Sequence, residues 1–584
     1  MKKKVHKNTA RENRKAGFRL FFMLGLLLVC TVGLASRAVT LQVIDTEFLQ
    51  GQGEARYLRE VEIPATRGVI YDRNQVPLAV STPVESLWVH PGQLLETREN
   101  IDKLAAVLGT DADELERKLN TRSEKEFVWL RRHLPPSIAA QVSALELPGV
   151  NLEREYRRFY PSSEVSVHVL GFTNIDDVGQ EGLELEYNDW LQGVPGSKQV
   201  IKDRRGRVVE DVRLIRPAQP GRDLTLTLDN RLQYLAYREL KRTMLEHNAQ
   251  SGSVVLLDVA TSQILAMVNA PTYNPNQSVS RESQALRNRA VTDVIEPGSV
   301  MKPFAIAAAL ETGMYTPDSP IDTEPGSIMI SGHTIHDTNN NGMLDVTGVI
   351  TKSSNVGTSK IALSLEPEHL WGSYNRFGFG KVTGSGFPGE SAGVLRNFQR
   401  WHKVEQATIA YGYGISVTAL QLARAYTAIA NSGRIRAPSF IKQIENPLVS
   451  VMDPAIAAQV RDMLLTVTGP EGTGKKARVK NYLVGGKTGT SRKASAAGYE
   501  ERYIATFAGY APASDPQLVL VVVIDDPQGK GYYGGTVAGP LFSRVMSGSL
   551  RLLDIAPDDF QLAMAQQKLQ VPRLVKNRAD NRAP

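Results

Sequence analysis

Cysteine is all but missing: the 584 residues contain one, Cys30. An intrachain disulfide is therefore excluded, whatever the redox state of the compartment. Histidine is sparse as well. Of the nine, only His333 and His336 fall close together, a pairing that suits ordinary loop residues and gives no metal-ligand spacing. An excess of charge within the body of the chain is also lacking, although the formal net charge is +7. Residues 1–19 hold eight Lys/Arg against Glu12, a net of +7, and the chain from Lys568 onward adds a net of +4. Residues 20–567 are left at −4, so the alkaline character belongs to two tails and the body has nothing to attract nucleic acid.

One long apolar run is present. Leu20 to Ala35 is interrupted only by Thr31, and with Phe18 and the residues around Val39 it approaches the length of a bilayer span. A basic cluster precedes it and only Arg37 follows closely, which places the N-terminus in the cytoplasm and the chain from about residue 40 outside it. Gly33-Leu34-Ala35 would serve as a signal cleavage site, but the run is long and the leader before it extended, so a retained anchor is expected. The expected divisions are a cytoplasmic basic tail (1–17), a transmembrane helix (18–38), an N-terminal supporting region (39–220), a catalytic domain (221–556) and a flexible tail (557–584).

Three short clusters lie in the catalytic region: Ser299-Val300-Met301-Lys302, Ser353-Ser354-Asn355 and Lys487-Thr488-Gly489-Thr490. Glu296-Pro297-Gly298 breaks the chain and Ala305 to Leu310 favours helix, so a helix is expected to begin near Ser299, with Pro303 in its first turn. Residues i and i+3 share a helix face, which puts the Lys302 amine beside the Ser299 hydroxyl. The positive helix N-terminus and burial both favour a neutral lysine able to take a proton. Ser353 and Asn355 supply a hydroxyl and an amide suited to a proton shuttle and a peptide anchor. Lys487 with Thr488 and Thr490 suits a substrate carboxylate, and a strand there could pair with an extended peptide. Helix capping by a serine accounts for any one cluster alone. All three in this order point to serine acyl transfer.

Together these clusters resemble the motifs of penicillin-binding proteins and class A β-lactamases. Arg67 to Asn74, Arg154 to Pro161, Gly179 to Glu184, Tyr273 to Asn276 and Tyr411-Gly412-Tyr413-Gly414 extend the resemblance over most of the chain. It is closest to the class B penicillin-binding proteins of the division-specific type. The resemblance implies a peptidoglycan D,D-transpeptidase of the septal wall, a target of β-lactams, anchored in the inner membrane with its catalytic domain in the periplasm. It implies Ser299 as nucleophile, Lys302 as its provisional base, Ser353 as proton relay, and Asn355 holding the lysine and the substrate amide. It implies Lys487, Thr488, Gly489 and Thr490 as the carboxylate-binding strand, with backbone N–H groups of Ser299 and Thr490 as the oxyanion hole. No cofactor or metal is implied. The implied partners are D-Ala-D-Ala stem peptides, a polytopic septal glycosyltransferase and other divisome membrane proteins. A β-lactamase, a carboxypeptidase using water as acceptor, a penicillin-sensing or scaffold protein and an elongation-specific paralogue remain as rivals.

The expected fold is α+β: a five-stranded antiparallel sheet flanked by helices, carried on an elongated pedestal behind a single transmembrane helix. Asp229 is placed as the N-cap of an amphipathic helix, and Val254 to Leu257 with Ile264 to Val268 as a hairpin. Residues 39–220 resemble the pedestal of class B enzymes; salt bridges and turns are expected to hold it. Two further patterns fall short. Gly469 to Lys476 matches a phosphate-binding loop except at its last position, which lacks the hydroxyl. Asp337 to Asp345 opens like a calcium loop, but Gly348 stands where its glutamate is due.

Overall fold

The computed structural model describes residues 2–46, 58–202, 208–277, 284–495, 498–529 and 531–559. The flexible tail expected from residue 557 lies outside the described residues from 560 onward. Helix α1 (Lys2–Val39) continues through a short π-helical turn to Ile44. Its stretch Arg14–Ile44 is long and apolar enough to cross a membrane, with its apolar window wholly unburied. A bare apolar helix of this length is compatible with a membrane anchor.

The chain packs as two compact units, and several sequence segments contribute to each. The first comprises residues up to Ala65, Pro83–Glu155 and Val194–Gln219. It contains strand β1 (Leu58–Ile63), the later part of β2 (Pro77–Val89), β3 (Val128–Leu134) and most of β4 (Val150–Phe159). Strands β5 (Gly196–Lys202) and β6 (Val208–Arg216) complete an antiparallel sheet in the order β1-β5-β6. Helices α2 (Arg98–Leu108) and α3 (Ala112–Asn120) bury Ile101, Leu104, Leu115 and Leu119 in a small core with Leu87, Val89 and Val128.

The second unit comprises Thr66–Thr82, Tyr156–Gly193 and the chain from Pro220 on. In this packing, two stretches of the residues expected as the pedestal group with the chain from Pro220 on. Bonds such as the Asn230 N–H to Asp72 Oδ2 and the Tyr160 N–H to Asn276 Oδ1 join them to that chain, and a buried ion triad joins the two stretches to each other. Arg67 and Arg158 each donate to the carboxylate of the fully buried Glu184, at 2.7 Å in both cases. Charges held this deep are tolerated only when paired, so these segments must fold together. Asp229 caps α4 (Asn230–His247) by accepting from the Arg231 N–H, as its sequence position anticipates. The segment Asp223 to Leu228, in contrast, gives strand only at Leu224–Thr225, because its neighbours bond to separate loops.

The sheet of this unit is antiparallel and five-stranded. Its strands are β7 (Ser251–Asp258), β8 (Ile264–Ala270), β9 (Gly485–Ser495), β10 (Gly498–Ala511) and β11 (Leu518–Asp525), in the order β8-β7-β11-β10-β9. Val254-Val255-Leu256-Leu257 and Leu518 to Ile524 are buried without alternation, since helices cover both faces of the central strands. One face packs α4 and α10 (Gly534–Leu552), burying Leu232, Leu240, Val537 and Phe542. The other packs α5 (Lys302–Glu311), α8 (Ala419–Ala430) and α9 (Pro454–Thr468) as part of the larger core. Strand β9 ends the sheet order, and among the described residues its outer edge has no strand partner.

Candidate active site

The Ser299 cluster is built by a break in helix type. Gly298–Met301 forms a 3-10 turn, and the α-helix proper begins at Lys302 with Pro303 in its first turn. Lys302 is fully buried; Ser299 is half-buried and lines a cleft of about 740 Å³. The i and i+3 residues do share this turn, yet among the described residues no hydrogen bond joins Ser299 to Lys302. Stronger acceptors hold the amine. Lys302 Nζ donates to the Ser353 carbonyl at 2.5 Å and to Asn355 Oδ1 at 2.9 Å, and lies 3.2 Å from Ser353 Oγ.

The second cluster joins two helices, α6 (Val346–Lys352) and α7 (Asn355–Leu363). Ser353 closes α6 in the left-handed region, at φ +62°. A side chain there carries a strain of about 1 kcal/mol or more, which persists only where the surroundings enforce it. Ser354 caps α7, accepting from the Gly357 N–H at 2.9 Å. Asp337 fixes the same corner. Its carboxylate accepts from Ser354 Oγ and the Asn355 N–H, both at 2.5 Å, and from the Val356 N–H at 2.9 Å. Asn355 Nδ2 donates to the His336 carbonyl, which turns its oxygen toward Lys302.

From the third cluster, Lys487 is also fully buried, and its amine reaches Ser353 Oγ at 2.9 Å. Thr488 Oγ1 lies 2.8 Å from Thr473 Oγ1, and Thr490 Oγ1 accepts from the Gly534 N–H at 2.9 Å. A Cβ on Gly489 would come within 2.8 Å of the Pro297 carbonyl, so a bare backbone lets β9 approach the segment before Ser299. Ser299, Ser353, Asn355, Thr488 and Thr490 line the cleft, while Lys302 and Lys487 lie beneath it, bridged by Ser353.

Two amines this close cannot both hold a proton in a dry site. Burial pushes Lys302 well below the ordinary lysine range; the charge of Lys487 adds to this, and Asp337 opposes it. Lys487 is lowered to about 7, again by burial. Lys302 is therefore the neutral amine and Lys487 the one that carries charge. Ser353 Oγ can accept from Lys487 and turn its own proton toward Lys302, giving a path for a proton along the floor.

Several cleft residues carry little sequence signal. Asp337 and Asp345, which open like calcium ligands, are helix caps: Asp345 accepts from the Gly348 N–H at the start of α6. The loop that mimics a phosphate-binding loop supplies Gly472, Thr473, Lys475 and Lys476 to the cleft wall. With Lys352 and Arg492 these make a cationic lining, and among the described residues no carboxylate lines it. Tyr503 and Tyr532 stack at 4.0 Å and Tyr532 and Tyr533 at 4.5 Å, walling one side. Only their position in space assembles them; no spacing in the sequence could have done so.

The model of the penicillin-binding protein transpeptidase domain matches residues 252–547, and that of the penicillin-binding protein dimerisation domain matches residues 62–226. The chain belongs to the penicillin-binding protein family. Among relatives of this family, a probable peptidoglycan D,D-transpeptidase, PbpC, of Pseudomonas aeruginosa is 43% identical, covering 94% of this chain and 98% of its own length. The peptidoglycan D,D-transpeptidase FtsI of Escherichia coli is 42% identical, with 94% of each chain covered. The transpeptidase domain of Burkholderia pseudomallei penicillin-binding protein 3 superposes with a TM-score of 0.53 at 40% identity, covering 57% of this chain and 97% of that one. A Mycobacterium penicillin-binding protein 3 in complex with aztreonam covers 85% of this chain and 98% of its own, with a TM-score of 0.66 at 29% identity.

Proposed function

We propose that the protein is a class B peptidoglycan D,D-transpeptidase of the division-specific type, acting on septal cell wall through a serine acyl-enzyme. The observation that carries this reading is Ser353 Oγ between two buried lysine amines, on the floor of the cleft that Ser299 lines.

In this mechanism Ser299 Oγ attacks the penultimate D-Ala carbonyl of a stem peptide, and its proton passes to neutral Lys302. The oxyanion forms between the N–H groups of Ser299 and Thr490, contacts that typically contribute about 3–4 kcal/mol each to lowering the barrier. Ser353 relays the proton to the departing D-Ala nitrogen as the C–N bond breaks. An amine from a second stem then attacks the acyl-enzyme, its proton returns through the same groups, and Ser299 leaves as the alcohol with the cross-link made. Lys487 and Thr488 receive the terminal carboxylate, and the free edge of β9 suits pairing with an extended peptide.

The basic leader before the apolar helix supports a cytoplasmic N-terminus and a periplasmic catalytic domain. By family resemblance, the helix is where a polytopic glycosyltransferase and other divisome proteins would touch. Fluorescent penicillin followed by peptide mass mapping tests the chemistry: the adduct is expected on Ser299 and absent from Ser299→Ala. Labelling of that variant would remove Ser299 from the mechanism. A functional fluorescent fusion spread along the side wall, and not concentrated at the septum, would favour the elongation-specific reading.

A further inference from the structure

The three residues before Ser299 are held more firmly than a connecting loop requires. Glu296 Oε1 accepts from the Gly414 N–H at 2.8 Å and from the Tyr499 hydroxyl at 3.2 Å. The Glu296 carbonyl accepts from Ser491 Oγ at 2.6 Å. Two residues on, the Gly298 N–H donates to the Gly412 carbonyl at 3.1 Å. Gly412 adopts φ +87°, and a Cβ there would come within 2.2 Å of the Gly298 carbonyl, so only glycine permits this contact. The turn Tyr411–Gly414 closes the circuit, because the Tyr413 hydroxyl accepts from the Arg492 N–H at 3.2 Å. The Tyr413 ring packs edge-on against Tyr499 at 5.5 Å.

The bonds thus run from Glu296 to the turn, from the turn to β9, and from β9 through Ser491 back to Glu296. Inside this loop lie Ser299 and Thr490, one residue beyond Gly298 and one before Ser491. A Cβ built on Gly298 would stand 3.3 Å from the Thr490 carbonyl, so the two segments touch here.

We propose that Glu296 is a positioning residue that, with Ser491, fixes the spacing between the backbone of Ser299 and that of Thr490, and hence the width of the oxyanion pocket. The inference rests on the proposed role of Ser299. The side chain suits the task because it carries one acceptor oxygen away from its own backbone to two donors on different elements, while the Glu296 carbonyl stays bonded to Ser491. The oxyanion pocket acts on both acylation and deacylation, so a widened pocket slows both and leaves the preceding non-covalent complex unchanged.

The test uses the full-length protein in detergent and rapid-mixing penicillin kinetics that separate the initial dissociation constant from the acylation rate constant. Glu296→Ala is expected to lower the acylation rate constant about 10-fold or more, to slow deacylation similarly, and to leave the dissociation constant within about twofold. Glu296→Gln keeps an acceptor oxygen for both donors and is expected to recover most of the rate. Tyr499→Phe, which removes one bond and keeps the ring, is expected to show a smaller loss of the same kind; it stands in if the alanine variant does not fold. Unchanged acylation in Glu296→Ala, failure of Glu296→Gln to recover rate, or a loss confined to the dissociation constant would each overturn the proposal. Wild-type protein that gives no adduct on Ser299 would instead overturn the reading of the active site.

Discussion

Among single residues, the carboxylate of Asp337 does two things at once. It anchors Ser354 and the start of α7, and it is the negative charge that partly restores the basicity of Lys302. Asp337→Asn removes the charge while keeping a side chain of similar size. Lys302 should then lose its proton at lower pH, so the acid limb of the acylation profile moves down, while the maximal rate falls as the Ser353–Asn355 corner loosens. Stopped-flow acylation across pH measures both effects. In the wild type the two amines act in opposite directions. Acylation rises with pH as Lys302 deprotonates, and binding of a carboxylate-bearing substrate falls above about pH 7 as Lys487 loses its charge. Substrate binding that stays flat from about pH 6 to about pH 9 would contradict the assignment of Lys487.

At the level of elements, α6 ends and α7 begins within two residues, and this corner puts Ser353 between the lysines. The left-handed backbone of Ser353 is strained for a side chain and relaxed for glycine. Ser353→Gly is therefore expected to be more stable than Ser353→Ala by about 1 kcal/mol, although both lose the hydroxyl and should acylate slowly. Equal melting temperatures for the two variants would show that the strain is absent. The edge strand β9 has a comparable constraint, since Gly489 must remain bare to meet the Pro297 carbonyl.

Across the whole molecule, the triad of Arg67, Glu184 and Arg158 ties distant stretches of sequence into one unit. Glu184→Ala would leave two buried guanidinium groups unpaired, a change that typically costs about 3–5 kcal/mol. A clear drop in melting temperature is expected, with penicillin labelling of the surviving folded protein retained. Stability also depends on pH through the buried lysines. Each has a folded-state pKa below its unfolded value of 10.5, so between the two the unfolded chain binds more protons and stability rises with pH. Lys487→Met removes the Lys487 share of this dependence, which runs from about pH 7 to 10.5, and leaves that of Lys302; denaturant titrations of the variant and the wild type at several pH values would show the shallower slope.

The sequence determined the order of the three clusters, a helical start near Ser299, the cap at Asp229, the apolar central strands and the membrane-length helix, because each is written in residues close together along the chain. The same local reading put Lys302 on the face of Ser299, but it could not show which acceptors hold the amine, that Asp337 and Asp345 cap helices, or that residues 66–82 and 156–193 pack with the chain from Pro220 on. Those outcomes depend on competition among partners that only the fold brings together: which acceptor a buried amine reaches, which N–H groups a carboxylate finds, and where a buried guanidinium meets its counter-charge. Tertiary structure alone decided them, since burial removes water as the alternative partner and makes distant groups bond to one another.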